Sequence, residues 1–319
     1  MVTRSHRGNL PAELSGFVGR RREISEIRRL MGKGRLVTLT GPGGVGKTRL
    51  ALRVARQLRA FPDGTWLVEL AAVTEPELVA SAVAAVLAVA DQSMPSLAAL
   101  AHLLRDKQTL LVLDNCEHLL DACAVLISKL LADAPGLRVL VTSRQTLRVE
   151  GEWVLSLSPL SMPDPESLPK GDLSEFEAVQ LLVQRAQAVL PTFDVTAANR
   201  TAVASICWLL DGLPLAIELA AARLRVLSVD QLLSRIEDQP DLLQTGSRTA
   251  VRQQRTIAAA LDWSYRLCSP EEQVMWARMS VFAGGFDLAA AERVWWRRHR
   301  SDSGVRRCRW AGGQVAPGL

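Results

Sequence analysis

The 319 residues, 48% of them hydrophobic, supply enough apolar side chains for a buried core spread over two or three domains, which excludes a disordered chain. The net charge of +5 sits at the end: between 295 and 319, Arg297, Arg298, Arg300, Arg306, Arg307 and Arg309 face only Asp302. This leaves 32 basic and 32 acidic residues before them, and no basic footprint for nucleic acid over the folded part. No apolar run reaches the roughly 18–20 residues that a membrane helix needs, and the opening MVTRSHRGNLPAEL lacks the apolar stretch of a signal peptide, so a cytoplasmic protein without membrane contact is expected.

From 35 to 160 the predicted elements alternate strand and helix, the rhythm of a parallel sheet with helices on both faces. RLVTLT (35–40) is a short apolar strand. After it, Leu50, Ala51, Val54, Ala55 and Leu58 recur at helical spacing over 47–58. TWLVEL (65–70) is a second strand, and Thr74 with Glu77 reads as a capping box opening a helix. Another helix is expected to start near Ser96. TLLVL (109–113), ending in Asp114, is apolar throughout, as a central parallel strand buried on both faces must be. A helix over 117–132, a buried strand LRVLVT (137–142) and a more peripheral alternating strand over 152–158 complete the series.

Four prolines and a glycine between 159 and 173 break both periods and predict a domain boundary. Beyond it the pattern is helical. Ser174 with Glu177 predicts a cap for a helix to 190, a second helix covers 197–210, Gly212-Leu213-Pro214 interrupts, a third runs through 224, and Ser228 with Gln231 caps a fourth. A further unit starts near Arg255 with a helix to 267. Ser269-Pro270-Glu271-Glu272 then opens another, and a short one follows from Asp287. The last 25 residues abandon these patterns. With 33 arginines and five lysines in the chain, their sudden tryptophan and arginine density points to a reading-frame change near Val294, a natural basic tail being the alternative. Cys116, Cys123, Cys207, Cys268 and Cys308 lack zinc-site spacing and read as reduced, mostly buried thiols.

The segment GPGGVGKT (41–48) matches the phosphate-loop pattern, between a buried strand and an amphipathic helix. Gly41, Gly43, Gly44 and Gly46 permit the turn, and the backbone N–H groups around Val45 and at the helix start cradle phosphate oxygens. Lys47 is expected to reach the β- and γ-phosphates and Thr48 to give its hydroxyl to Mg²⁺, with Asp114, ending the second buried strand, as the acidic partner. Glu117 could orient an attacking water or simply favour the following helix start, and His118 is a weaker candidate ligand. Arg144, closing VLVTSR at the same sheet edge, could sense the γ-phosphate or stand exposed.

These motifs, with FVGRRREI (17–24), LLVLDNCEHLL (110–120), DGLPLAIELAAARL (211–224) and ALDWSYRLCSPEEQ (260–273), resemble the NB-ARC class of STAND signalling ATPases, as in bacterial LuxR-type and AfsR-like regulators. The resemblance implies a P-loop NTPase domain over 16–160 after an N-terminal extension (1–15). A linker (161–173), a helical domain (174–245), a partial winged-helix domain (255–294) and a disordered basic tail (295–319) follow. It also implies that Val18, Gly19 and Arg20 lie against adenine and ribose, that Arg49 joins the nucleotide set, that Pro214 closes over the base and that Arg144 is the sensor. ATP or ADP with Mg²⁺, self-association in the ATP state, and DNA contact only through an output domain that this chain lacks are further implications. Arg21 stands where relatives usually carry an acid, although Glu23 fits, and Asn115 replaces a second acid, so slow or no hydrolysis is expected.

The reading is therefore a nucleotide-dependent signalling switch. An AAA+-type motor or chaperone is the alternative, and it would need arginine fingers between subunits that the sequence does not assign. Direct DNA binding through 255–294 is disfavoured, because four arginines there face five acids.

Overall fold

Five-residue apolar runs form one parallel sheet in the computed structural model, which describes residues 8–58, 60–87, 97–237, 265, 270–280, 282 and 290. The strands are β1 (Leu36–Thr40), β2 (Thr65–Glu69), β3 (Leu110–Asp114), β4 (Arg138–Thr142) and β5 (Glu152–Ser156), in the order β2-β3-β4-β1-β5. Because all run the same way, each successive pair needs a crossover; helices supply the first three, and the segment 143–151 joins β4 to β5 without one. The helices are α2 (Lys47–Gln57) after β1, α3 (Leu78–Val86) and α4 (Leu97–Leu104) after β2, and α5 (Leu120–Asp133) after β3. β1 and β3 are buried at every position, while edge strand β5 exposes Trp153 and Val154, as its weaker apolar alternation foretells.

The strand period of two divides the core. Leu36, Leu111, Leu113, Val139 and Val141 face one way, against α3, α4 and α5. Val37, Leu39, Leu110, Val112 and Leu140 alternate to the other face, where α2 packs beside α1 (Arg21–Lys33). α1 has no clear signature in the sequence. Ile27, Leu30 and Met31 bury its inner face, but they are sparse among charges, and its N-cap Arg20 offers no capping bond. Arginines close two helix ends: Arg138 donates to the carbonyls of Met31 and Gly34 (2.6 Å to the latter), and Arg35 to those of Leu131 (2.8 Å) and Ala134 (3.2 Å).

Several predicted starts shift for local reasons. Thr74 does not cap α3, which begins at Leu78 with Glu77 as an N-cap making no side-chain bond. The helix expected over 117–132 is broken into a 3₁₀ turn (Cys116–His118) and α5, because Asn115 takes a left-handed φ of 65° and Leu119 is non-helical. Ser174 lies in a 3₁₀ turn capped by Asp172, and α6 (Glu177–Val189) starts after Phe176. α7 (Arg200–Leu209) and α8 (Pro214–Arg223) flank the predicted interruption. Ser228 and Gln231 do form the reciprocal box, at 3.0 and 3.2 Å, at the start of α9 (Val229–Glu237).

Residues 1–261 form one unit and 262–319 another. In the second, α10 (Pro270–Met279) sets Trp276 edge-on to Tyr265, with ring centroids 5.8 Å apart. The expected helices before Leu267 and after Asp287, the Ser269 cap, Cys268, Cys308 and the tail after Val294 lie outside the described residues, apart from Tyr265 and Ala290. Among the described residues no helix is long and apolar enough to cross a membrane.

Candidate functional site

Parallel strands bring their C-terminal ends to one edge, so the segments leaving β1, β3 and β4 meet there. The turn after β1 depends on left-handed glycines, with φ of 148° at Gly41, 72° at Gly44 and 93° at Gly46. Gly41 also has no room for a side chain, since a Cβ would lie 2.9 Å from the Leu157 carbonyl oxygen. Gly46 is the N-cap of α2, and the first amides of α2 have no partner within the helix. Gly43, Gly44 and Val45 therefore lead into a helix start suited to an anion.

Lys47 is buried and donates to the carbonyls of Gly41 (2.8 Å) and Pro42 (3.0 Å), so its ammonium sits inside the loop it is expected to serve. Burial holds it below the ordinary lysine value of 10.5. The Glu117 carboxylate pulls it back up, the Arg144 guanidinium lowers it further, and Asp114 raises it as Glu117 does. Four of the predicted residues thus share one electrostatic neighbourhood. Thr48 Oγ1 donates to Asp114 Oδ1 at 2.7 Å, joining the helix after β1 to the end of β3.

Thr142, at the end of β4 between them, was not anticipated. Its hydroxyl donates to the same Asp114 oxygen at 2.5 Å and accepts from the Asn115 N–H at 3.0 Å. Arg144 Nε donates to Glu117 Oε1 at 3.1 Å, with Arg144 half exposed, while Glu117 Oε2 is buried without a partner. His118 instead meets the Val73 carbonyl, at 2.8 Å through Nε2. No cluster of three metal-binding side chains exists among the described residues. Cys116, Cys123 and Cys207 are free and buried as expected, burial alone pushing Cys207 up to about 12.

The remaining candidates frame the loop. After Val18 and Gly19, Arg20 takes φ 61°, gives its N–H to Glu177 Oε1 (2.8 Å), and buries its guanidinium against Glu23 (2.6 Å) and the Val45 carbonyl (3.3 Å). Gly19 is pressed so closely by Glu177 that an added Cβ would meet its carboxylate at 2.4 Å. From α8, the Leu215 N–H donates to the Gly44 carbonyl at 3.2 Å, and Pro214 Cγ stands 3.9 Å from where a Gly46 Cβ would be. The Arg49 guanidinium is held by Glu218, Ser15 and Gly16. Glu177 reads in the sequence only as the partner of a Ser174 cap, and Glu218 carries no signal beyond membership of a helix.

Sheet, loop and acidic strand end define a P-loop ATPase domain, a fold that implies nucleotide binding. Residues 29–148 match the family model described as an AAA domain. The chain is 40% identical over 283 residues to the uncharacterized protein Rv0894 of Mycobacterium tuberculosis, covering 88% of this chain and 69% of that one, and it belongs to the same family. It is 42% identical over 269 residues to Rv0890c of the same organism, provisionally named an HTH-type transcriptional regulator, covering 84% of this chain and 29% of that one. It is 31% identical over 304 residues to the regulatory protein AfsR of Streptomyces griseus, covering 88% and 28%. The chain thus spans less than a third of either regulator. Its fold is similar to that of a Pyrococcus horikoshii STAND protein with a tetratricopeptide repeat sensor, PH0952 (TM-score 0.54, 16% identity, 88% of this chain, 37% of that one).

Proposed function

We propose that this chain is the ATP- and ADP-binding switch module of a transcriptional regulator of the NB-ARC type, with slow or no hydrolysis. The observation that carries the reading is the seating of α8 on the phosphate loop: Leu215 bonds to Gly44, and Pro214 lies beside Gly46. A group bound in that loop acts on the sheet and on the following helices together, which is what a conformational switch requires. In this reading 16–160 is the nucleotide domain, 161–173 a linker, 174–245 the helical domain and 255–294 part of a winged helix. The setting is the cytoplasm, with self-association in the ATP state and with DNA read by a separate domain. The relatives named as regulators support this assignment.

Thr48 Oγ1 and Asp114 Oδ1 are hard oxygen donors 2.7 Å apart, and a Mg²⁺ ion held by one or two protein oxygens plus phosphates suits them. Bound there, the ion would neutralise phosphate charge. Lys47 supplies a second positive charge from inside the loop, and the first amides of α2 orient the phosphates. Val18, Gly19, Arg20 and Pro214 frame the base, and Arg49 braces the first turn of α2. Arg144, held by Glu117, is the sensor. With Asn115 where a second acid would serve best, Glu117, whose charge is felt at Lys47, is left as the carboxylate to order a water, and turnover is slow.

The test is nucleotide carried through purification. Wild type retains ADP or ATP, and Lys47→Ala loses it by at least about tenfold in affinity, as expected for removal of a charge-assisted phosphate contact. Equal retention by both proteins defeats the site. Rapid steady-state hydrolysis would favour the AAA+-type motor instead.

A further inference from the structure

We infer that Glu218 is the positioning residue that holds the phosphate loop against the helices that follow it, and so sets how fast nucleotide leaves. The inference rests on the nucleotide-site reading above and adds to it a side chain outside the loop.

One oxygen of Glu218 receives two guanidinium groups, Arg49 Nη1 at 2.8 Å and Arg185 Nε at 3.0 Å. The same two arginines converge a second time, on the Gly16 carbonyl, at 3.0 Å from Arg49 and 3.2 Å from Arg185. Arg49 also donates to Ser15 Oγ at 2.9 Å. A single carboxylate therefore joins α2, α6, α8 and the segment before Gly19. Its partner Arg185 is only 17% exposed, so the cluster is more than a screened surface pair. Without the Glu218 charge, two cations would be left side by side with only neutral oxygens between them.

Position along the helices gives this cluster its leverage. Arg49 directly follows Thr48 in the first turn of α2, so it reports the placement of the loop. Glu218 lies four residues after Pro214, on the same face of α8, one turn beyond the point where Leu215 bonds to Gly44. Loop and α8 thus meet twice within one turn, once through the backbone and once through charge. Loss of the charged contact leaves, among the described contacts, the Leu215–Gly44 backbone bond and the Pro214 packing to keep α8 over the loop.

The experiment uses the full chain loaded with N-methylanthraniloyl-ADP and chased with excess unlabelled ADP, the release rate being read at low and high salt. Wild type releases slowly, and faster at high salt. Glu218→Gln releases about three- to tenfold faster at low salt and loses most of its salt response, in line with removal of a partly buried ionic cluster. In the Arg49→Met/Arg185→Met background, Glu218→Gln adds little, because its effect is transmitted through those two side chains. A purely structural staple would lower the melting temperature without this non-additivity or salt response. Should Glu218→Gln fail to fold, Arg185→Met alone is expected to speed release in the same way. Release from Glu218→Gln at the wild-type rate overturns the inference while leaving the nucleotide site standing. Failure of the wild type to bind the analogue overturns the site reading and this inference with it.

Discussion

Asp114 carries two hydroxyl donors on one oxygen, Thr48 from the helix after β1 and Thr142 from the end of β4. Thr142 is fully buried and also accepts from the Asn115 N–H, so it fixes both the carboxylate and the left-handed turn that follows. Thr142→Val keeps the shape but leaves that N–H without its acceptor, at a cost of about 1–3 kcal/mol. Thr142→Ser keeps both bonds and is expected to lose less than the valine variant. Thermal denaturation compares them, and equal melting of the two would show that the hydroxyl is not what matters. Lys47, Thr48 and Asp114 were legible because the glycine turn, the lysine and the strand-end acid are local features with a recognisable spacing. Thr142, Glu177 and Glu218 were not, since their partners lie 28, 157 and 169 residues away in sequence and nothing local announces the pairing.

At the scale of elements, the buried strands were legible because unbroken apolar runs in a parallel sheet have no other use, whereas helix starts depended on what each capping residue actually meets. Ser228 and Gln231 found each other; Glu177, placed equally well for Ser174, went instead to the N–H of Arg20. α1 escaped notice because Arg20 enters it in a left-handed conformation without a side-chain cap, and Arg138, from a distant strand, closes its far end. Glycine shows the same dependence on context. Gly212 has φ 61°, and a Cβ there would lie 2.5 Å from the Leu160 carbonyl oxygen, whereas Gly32 is helical with open space where its Cβ would go. Gly212→Ala is therefore expected to destabilise by about 2 kcal/mol or more, and Gly32→Ala to stabilise by roughly 0.5–1 kcal/mol. Denaturant titration of the two proteins should give opposite signs; a shared sign would contradict this account of the turn after α7.

At the scale of the whole described unit, the N-terminal segment has a structural role that its sequence did not advertise. Arg56, Arg53 and Arg49 lie along one side of α2 and hold, in turn, the Pro11 carbonyl, Glu13 (2.7 Å), and the Ser15 hydroxyl with the Gly16 carbonyl, with the Phe17 ring under Arg53. At its other end, Gly8 bridges to Thr65, and Asn9 exchanges two hydrogen bonds with the Leu67 backbone, at 2.8 and 2.6 Å. The segment thus runs back along α2 from the β2 edge to the cluster around Glu218. It covers an edge strand that would otherwise present unpaired amides to another chain. The amide of Asn9 imitates a strand residue here, donating to and accepting from one partner. Asn9→Ala removes both bonds while the arginine contacts remain, at a cost of about 1–2 kcal/mol. Its signature is spatial: hydrogen exchange should quicken at Leu67 on the outer edge of β2, and stay slow at Val112 in β3, which neighbouring strands flank on both sides. If exchange at Leu67 is unchanged, the segment rests on the sheet without protecting it. A uniform rise across the sheet would mean that the loss is global and that Asn9 supports the fold as a whole.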